Sequence, residues 1–264
     1  MRITIDGKEV YASTGGRAQQ AGQPFLIFLH GSGQNHLSFT QQSRSFAYAG
    51  YNVLVPDFPG HGHSDGAPLK TIQEMAAWVI ALMDEIGAPD AIIIGHSQGC
   101  LVCLELAAHY PQRIKAAVFI AGSASIPVNE DLILLAESVE PKAISAMVAW
   151  GSGALAHKFD NSVPGASLIG AGIELMKQNH QGALASDLKA CNAYSNGLES
   201  ASKVLCPSLC ILAEKDRMTP LKNGIKLAQS IKDCRTTVVK GAGHMLPPER
   251  PREVNEALRD FLKL

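Results

Sequence analysis

Ser97 lies in Gly95-His96-Ser97-Gln98-Gly99, directly after an apolar run at 91–94 and directly before a helical stretch at 100–109. A serine hydroxyl is a weak nucleophile. It needs exposure at a tight turn, a base to take its proton, and a third group to hold that base. The G-x-S-x-G spacing between strand and helix supplies the first, since the glycines remove Cβ atoms that would clash in so sharp a turn. The helix that follows presents its free N–H groups, which places the Gln98 N–H to donate to an oxygen that becomes negative during acyl transfer. The same five residues can also merely turn the chain, so the other parts decide.

The base and its holder are expected later in the chain, at the ends of later strands. Asp216 follows the apolar run 209–212, and His244 follows the strand signal at 236–240. Glu214 is a rival acid, but Pro220 restarts a helix after Asp216 and favours Asp216. The other eight of the nine histidines lie before or inside the segment 124–202. A second oxyanion donor is expected from the turn Leu29-His30-Gly31-Ser32-Gly33, with the Ser32 N–H assigned and Gly33 as the alternative.

Short, continuously apolar runs at 25–29, 53–55, 91–94, 116–120 and 209–212 predict strands buried on both faces of a parallel sheet. Helical stripes alternate with them, as in Ile72, Met75, Val79 and Met83, and again in Val254, Leu258 and Phe261 after Pro251. Asp6-Gly7 between two β-branched stretches predicts an N-terminal hairpin. The alternation stops between 124 and 202, where helix-like runs at 130–138, 141–149, 166–181 and 184–195 replace it. The expected organisation is an α/β core of residues 1–123 and 203–264, with a helical cap, 124–202, inserted between core strands.

With these residues in place the chain resembles the α/β-hydrolases that carry a helical cap, over nearly its whole length. The resemblance rests on His30-Gly31-Ser32-Gly33, the run from Asp57 to Ser64, Gly95 to Gly99, Asp216 with Pro220, and Gly243-His244. It implies a mostly parallel eight-stranded sheet with helices on both faces, an acyl-enzyme on Ser97, and no cofactor. The serine argues against the haloalkane dehalogenase and epoxide hydrolase branches, which use aspartate. C–C hydrolases of similar build commonly place Trp after the histidine, where this chain has Met245.

Other motifs weigh less. His61-x-His63-x-Asp65 has the look of a two-metal hydrolase signature, but Gly66 stands where a further histidine is required, and no metal is expected. Cys100-x-x-Cys103 falls on an apolar helix and reads as buried thiols, although relatives often carry glycine at the first position. Met245 is a candidate pocket wall; Met147 and Trp150 are weaker ones, and Leu155, Met176 and Tyr194 fit cap packing equally well. His157 and His180 read as ordinary cap residues.

Lys plus Arg number 23 against 24 Asp plus Glu, so no long-range field recruits nucleic acid or an anionic membrane. Neither a signal sequence nor a membrane-length apolar run is visible in the 264 residues, and a cytoplasmic protein is expected. The expected activity is hydrolysis of small, largely uncharged carboxylic esters. Lactone hydrolysis, meta-cleavage C–C hydrolysis, perhydrolysis and a non-turnover receptor are the alternatives.

Overall fold

The computed structural model describes residues 1–154, 156 and 165–264. Asp6 and Gly7 take positive φ values of 49° and 73° and fold Arg2–Ile5 (β1) back on Lys8–Ser13 (β2). Alternation follows: Phe25–Leu29 (β3), Thr40–Ala47 (α1), Asn52–Pro56 (β4), Ile72–Glu85 (α2), Ala91–His96 (β5), Gln98–His109 (α3) and Ile114–Ile120 (β6). Among the described residues only helices separate β6 from the next strand: Glu130–Ser138 (α4), Glu140–Gly151 (α5), Leu168–Met176 (α6), Ala183–Ala193 (α7) and Gly197–Lys203 (α8). Ser208–Ala213 (β7), Leu221–Ser230 (α9), Cys234–Val239 (β8), Leu246–Glu249 (α10) and Pro251–Leu262 (α11) complete the chain.

The eight strands form one sheet in the order β1-β2-β4-β3-β5-β6-β7-β8. β1 and β2 pair antiparallel, as do β2 and β4; the rest of the sheet is parallel. Alternation of side chains explains the apolar runs. Ile27, Leu29, Leu54 and Ile93 join one buried cluster with residues of α2 and α3, while Leu26, Phe28, Val53, Val55 and Ile94 join the other with residues of α1 and α11. β4 lies on one side of β3 and β5 on the other, so the chain reverses direction across the sheet there. The carboxyl ends of β3 and β5 therefore open a crevice, the usual location for a site in such sheets.

Thr71 caps α2 by accepting the Glu74 N–H at 3.1 Å, and Ile72, Met75, Val79 and Met83 of that helix are buried as their spacing predicts. α1 has no comparable apolar stripe: it buries Gln42, Ser43, Phe46 and Ala47. α8 packs against α3, where Tyr194 Oη and Ser200 Oγ reach Glu105 at 2.7 and 2.8 Å. The last part of the 124–202 segment thus joins the helical layer over the sheet, while α4 to α7 share an apolar cluster of their own with Met176, Leu184 and Leu188. Among the described residues no helix is long and apolar enough to cross a membrane.

Candidate active site

Ser97 sits between β5 and α3 with φ 54° and ψ −117°, a conformation that L-residues rarely adopt. The turn closes so tightly that a Cβ at Gly95 would overlap the Gly99 carbonyl, and one at Gly99 would overlap the Leu29 carbonyl. Both glycines are required by close approach of backbone. Cys100, one residue further, is accommodated by Gly122 opposite: a Cβ there would stand 2.5 Å from the Cys100 Sγ. The thiol donates towards the carbonyls of Gly95 and Ile120, at 3.2 and 3.3 Å.

His244 Nε2 lies 2.8 Å from Ser97 Oγ, and His244 Nδ1 lies 2.9 Å from Asp216 Oδ2. Asp216 Oδ1 accepts the N–H groups of Met218 and Thr219, both at 2.8 Å, and the Thr219 hydroxyl stands 2.8 Å from Oδ2. Burial alone would raise the Asp216 carboxyl pKa. The neighbouring His244 and the hydrogen bonds from His244 and Thr219 outweigh it and hold the group below the ordinary carboxylate range. Glu214, the rival acid, points elsewhere and accepts the Gly241 N–H at 3.0 Å.

One histidine meets this line, and another lies in the turn after β3. His96 Nε2 donates to the His244 carbonyl at 2.8 Å, and burial beside His244 pushes its pKa down to about 3. His30 Nε2 accepts the Phe58 N–H at 3.2 Å, and burial pushes its pKa down to about 4. The His244 N–H donates to the Gly151 carbonyl at 2.7 Å, while the buried Glu249 carboxylate accepts the N–H groups of Gly243 (2.8 Å) and Gly153 (3.2 Å). The loop carrying His244 is thereby stitched to the end of α5.

The turn after β3 passes beside the serine: a Cβ on Gly31 would stand 3.1 Å from the Ser97 Cβ. Of the two candidate donors there, Gly33 is corrected by the structure, because its N–H is given to Asp187 Oδ2 at 2.7 Å. The Ser32 and Gln98 N–H groups have no hydrogen-bond acceptor among the described residues.

A cavity of about 240 Å³ adjoins the site. Val148, Leu168, Leu175, Met176 and Met245 give it an apolar wall, and its charged residues are the acids Glu174 and Glu249; the described lining holds no Lys, Arg or His. Gln34 and Met245 stand at the end near the serine, with Gln34 Nε2 3.3 Å from the Met245 Sδ. Met245, the candidate pocket wall, lines this cavity. Trp150 and Met147 are corrections. Trp150 is 48% exposed and lines two open hollows apart from this cavity, one of them shared with Asp216, while Met147 is buried among the apolar residues of α4 to α7 and reaches only the other. An aromatic ring in an insertion carries no sequence signal for which side it faces. Tyr194 packs against α3, and Leu155 and His157 lie outside the described residues.

His61 and His63 do not converge: His61 reaches Asp187 of α7, whereas the His63 ring stacks near Tyr11 and His36. Cys100 and Cys103 are fully buried, which pushes both thiols up. Thr219, His96, Gln34, His61 and Asp187 were not anticipated: Thr219 serves Asp216 from three residues away without a motif to mark it, and each of the others acquires its role from a partner distant in the chain.

The fold and this arrangement are those of a hydrolase, and the chain belongs to the alpha/beta hydrolase family, whose model matches residues 26–257. It is 26% identical to a 2-hydroxy-6-oxononadienedioate/2-hydroxy-6-oxononatrienedioate hydrolase of Paraburkholderia phymatum, covering 92% of this chain and 88% of that one. The enol-lactonase of Burkholderia xenovorans LB400 superposes with a TM-score of 0.89 at 22% identity, covering all of both chains. A thermophilic esterase from Thermogutta terrifontis superposes with a TM-score of 0.85 at 19% identity, covering 100% of this chain and 97% of that one.

Proposed function

We propose that this hydrolase cleaves carboxylic esters of small, largely uncharged molecules. The observation that carries this reading is the unbroken line from the Ser97 hydroxyl, held on a strained turn, through His244 to Asp216, at 2.8 and 2.9 Å. Ser97 Oγ attacks the ester carbonyl while its proton passes to His244 Nε2. Asp216 orients the ring and stabilises its charged form. The oxyanion is held by the Ser32 and Gln98 N–H groups; loss of one such donor typically costs about 2.7–4 kcal/mol of transition-state stabilisation. His244 then gives the proton to the leaving alkoxide, and water, activated by the same ring, releases the acid from Ser97. No step calls for a cofactor or metal. The helices α4 to α7 serve as a cap, and Val148 of α5 with Leu168, Leu175 and Met176 of α6 supplies the apolar wall of the substrate cavity.

The cavity favours neutral substrates over the dioates named for the Paraburkholderia relative. A second carboxylate would be brought towards Glu174 and Glu249 with no cation among the described lining to receive it. Lactones without a free carboxylate fit the same chemistry. The test is turnover of p-nitrophenyl butyrate by the purified protein against Ser97→Ala, with a dioate ring-cleavage product and a homoserine lactone assayed in parallel. Multiple turnovers of the ester that vanish in Ser97→Ala support the reading; full activity in that variant, or turnover of the dioate alone, overturns it.

A further inference from the structure

Beneath the turn that carries Ser32 lies a second buried histidine–carboxylate pair. His61 Nε2 is 2.9 Å from Asp187 Oδ2, and both side chains are 1% exposed. His61 Nδ1 is 3.0 Å from the Pro59 carbonyl oxygen. A carbonyl and a carboxylate can only accept, so both ring nitrogens carry hydrogen and His61 is an imidazolium. The same Asp187 oxygen also accepts the Gly33 N–H at 2.7 Å, so one oxygen holds two donors from two different loops of the core.

The neighbouring groups are consistent with a charged pair. His30, whose ring centroid is 5.0 Å from that of His61, is neutral, because its Nε2 accepts the Phe58 N–H while Nδ1 donates to the Gly31 carbonyl. The other nearby carboxylate, Asp57, is engaged by His36 Nδ1 and by the His63 N–H. Burial alone would lower the His61 pKa, but the charge and hydrogen bond of Asp187 and the Pro59 carbonyl carry it above the ordinary value. One turn beyond Asp187 on α7, Cys191 Sγ lies 3.5 Å from Ser32 Oγ. One face of α7 therefore meets both Ser32 and Gly33.

We propose that Asp187 and His61 are positioning residues for the oxyanion site: by fixing the Gly33 peptide they aim the adjoining Ser32 N–H at the oxygen that becomes negative. The proposal rests on the roles assigned above to Ser97 and Ser32. A simple clamp between insertion and core would need only a salt bridge. Here the carboxylate instead spends the same oxygen on the main chain one residue from the assigned donor. Replacing Asp187 by Asn leaves no arrangement in which one atom accepts from both Gly33 and His61 while neutral His61 also satisfies Pro59.

The experiment measures the rate at which an uncharged fluorophosphonate labels Ser97, together with kcat and KM for p-nitrophenyl butyrate and the thermal midpoint, in wild type, Asp187→Asn, His61→Gln and the double variant. Labelling and kcat are expected to fall roughly 10- to 100-fold in Asp187→Asn, as for a small misplacement of a catalytic group, with KM within about 2-fold. The double variant is expected to be no slower than the slower single one, because the two residues act as a unit. Wild-type labelling and kcat in Asp187→Asn, or a change in KM alone, would overturn the proposal in favour of a clamp. If Asp187→Asn does not fold, the same rates in His61→Gln, which retains the carboxylate, decide. A wild type that the probe does not label fails differently: it refutes the nucleophile assignment itself, and this proposal with it.

Discussion

His244–Asp216 and His61–Asp187 are both buried imidazole–carboxylate pairs with a nitrogen–oxygen separation of 2.9 Å. They differ in what the other ring nitrogen meets. For His244 it is the Ser97 hydroxyl, which can donate as well as accept; for His61 it is the Pro59 carbonyl, which can only accept. The first ring is free to exchange a proton, and the second must keep both of its own. What makes such a pair a base, and not a fastening, is therefore the third group and not the carboxylate.

The sharpest way to break the comparison is to remove each ring. His244→Ala is expected to lower kcat on p-nitrophenyl butyrate by about 10⁴-fold or more, as for other members of a unit of this kind. His61→Gln is expected to cost about 10- to 100-fold, so equal losses would erase the distinction. Asp216→Asn follows, with a loss on the order of 10³- to 10⁴-fold that appears in kcat and not in KM, because the amide favours the wrong tautomer of His244.

Thermal melts across pH give a smaller effect of opposite sign in different rings. His30 and His96 have folded pKa values of about 4 and about 3, below the unfolded value of about 6.5. The unfolded chain then binds protons that the native state refuses, so stability falls as pH falls from about 6.5 and goes on falling until the folded values are reached. His61, raised by Asp187, contributes fully below about 6.5 and loses its contribution as pH rises through its raised folded pKa. A His96→Gln variant is expected to soften the acid decline, and His61→Gln to soften the alkaline one. An unchanged profile in both would sink these assignments. The smallest contrast lies in the lining. Met245→Ala is expected to shift KM several-fold across a series of acyl lengths, whereas exposed Trp150→Ala should change kcat/KM less than about 2-fold.

Ser97, Asp216 and His244 were legible in the sequence because each sits beside a local signal: glycines around a sharp turn, a proline restarting a helix, or the end of an apolar run. The strands were legible for a similar reason, being apolar on both faces. α1 was not, since it buries Gln42 and Ser43 beside Phe46 and Ala47 and so shows no stripe. Asp187 and His61 were not either. They lie 126 residues apart, and a lone aspartate on a helix looks like a solvated one until its partner is placed. Trp150 failed for the converse reason, as aromaticity fixes a preference for burial and not a direction.

The hydrogen bond from the His244 N–H to the Gly151 carbonyl, with Glu249 holding Gly153 beside Gly243, has a consequence for exchanging parts between relatives. A transplanted insertion replaces more than the apolar lining of the cavity, because it also replaces part of the seat of the histidine. Chimeras that retain residues 151–153 are expected to keep turnover while changing selectivity. Those that cut across them are expected to fold around a base that no longer meets its serine.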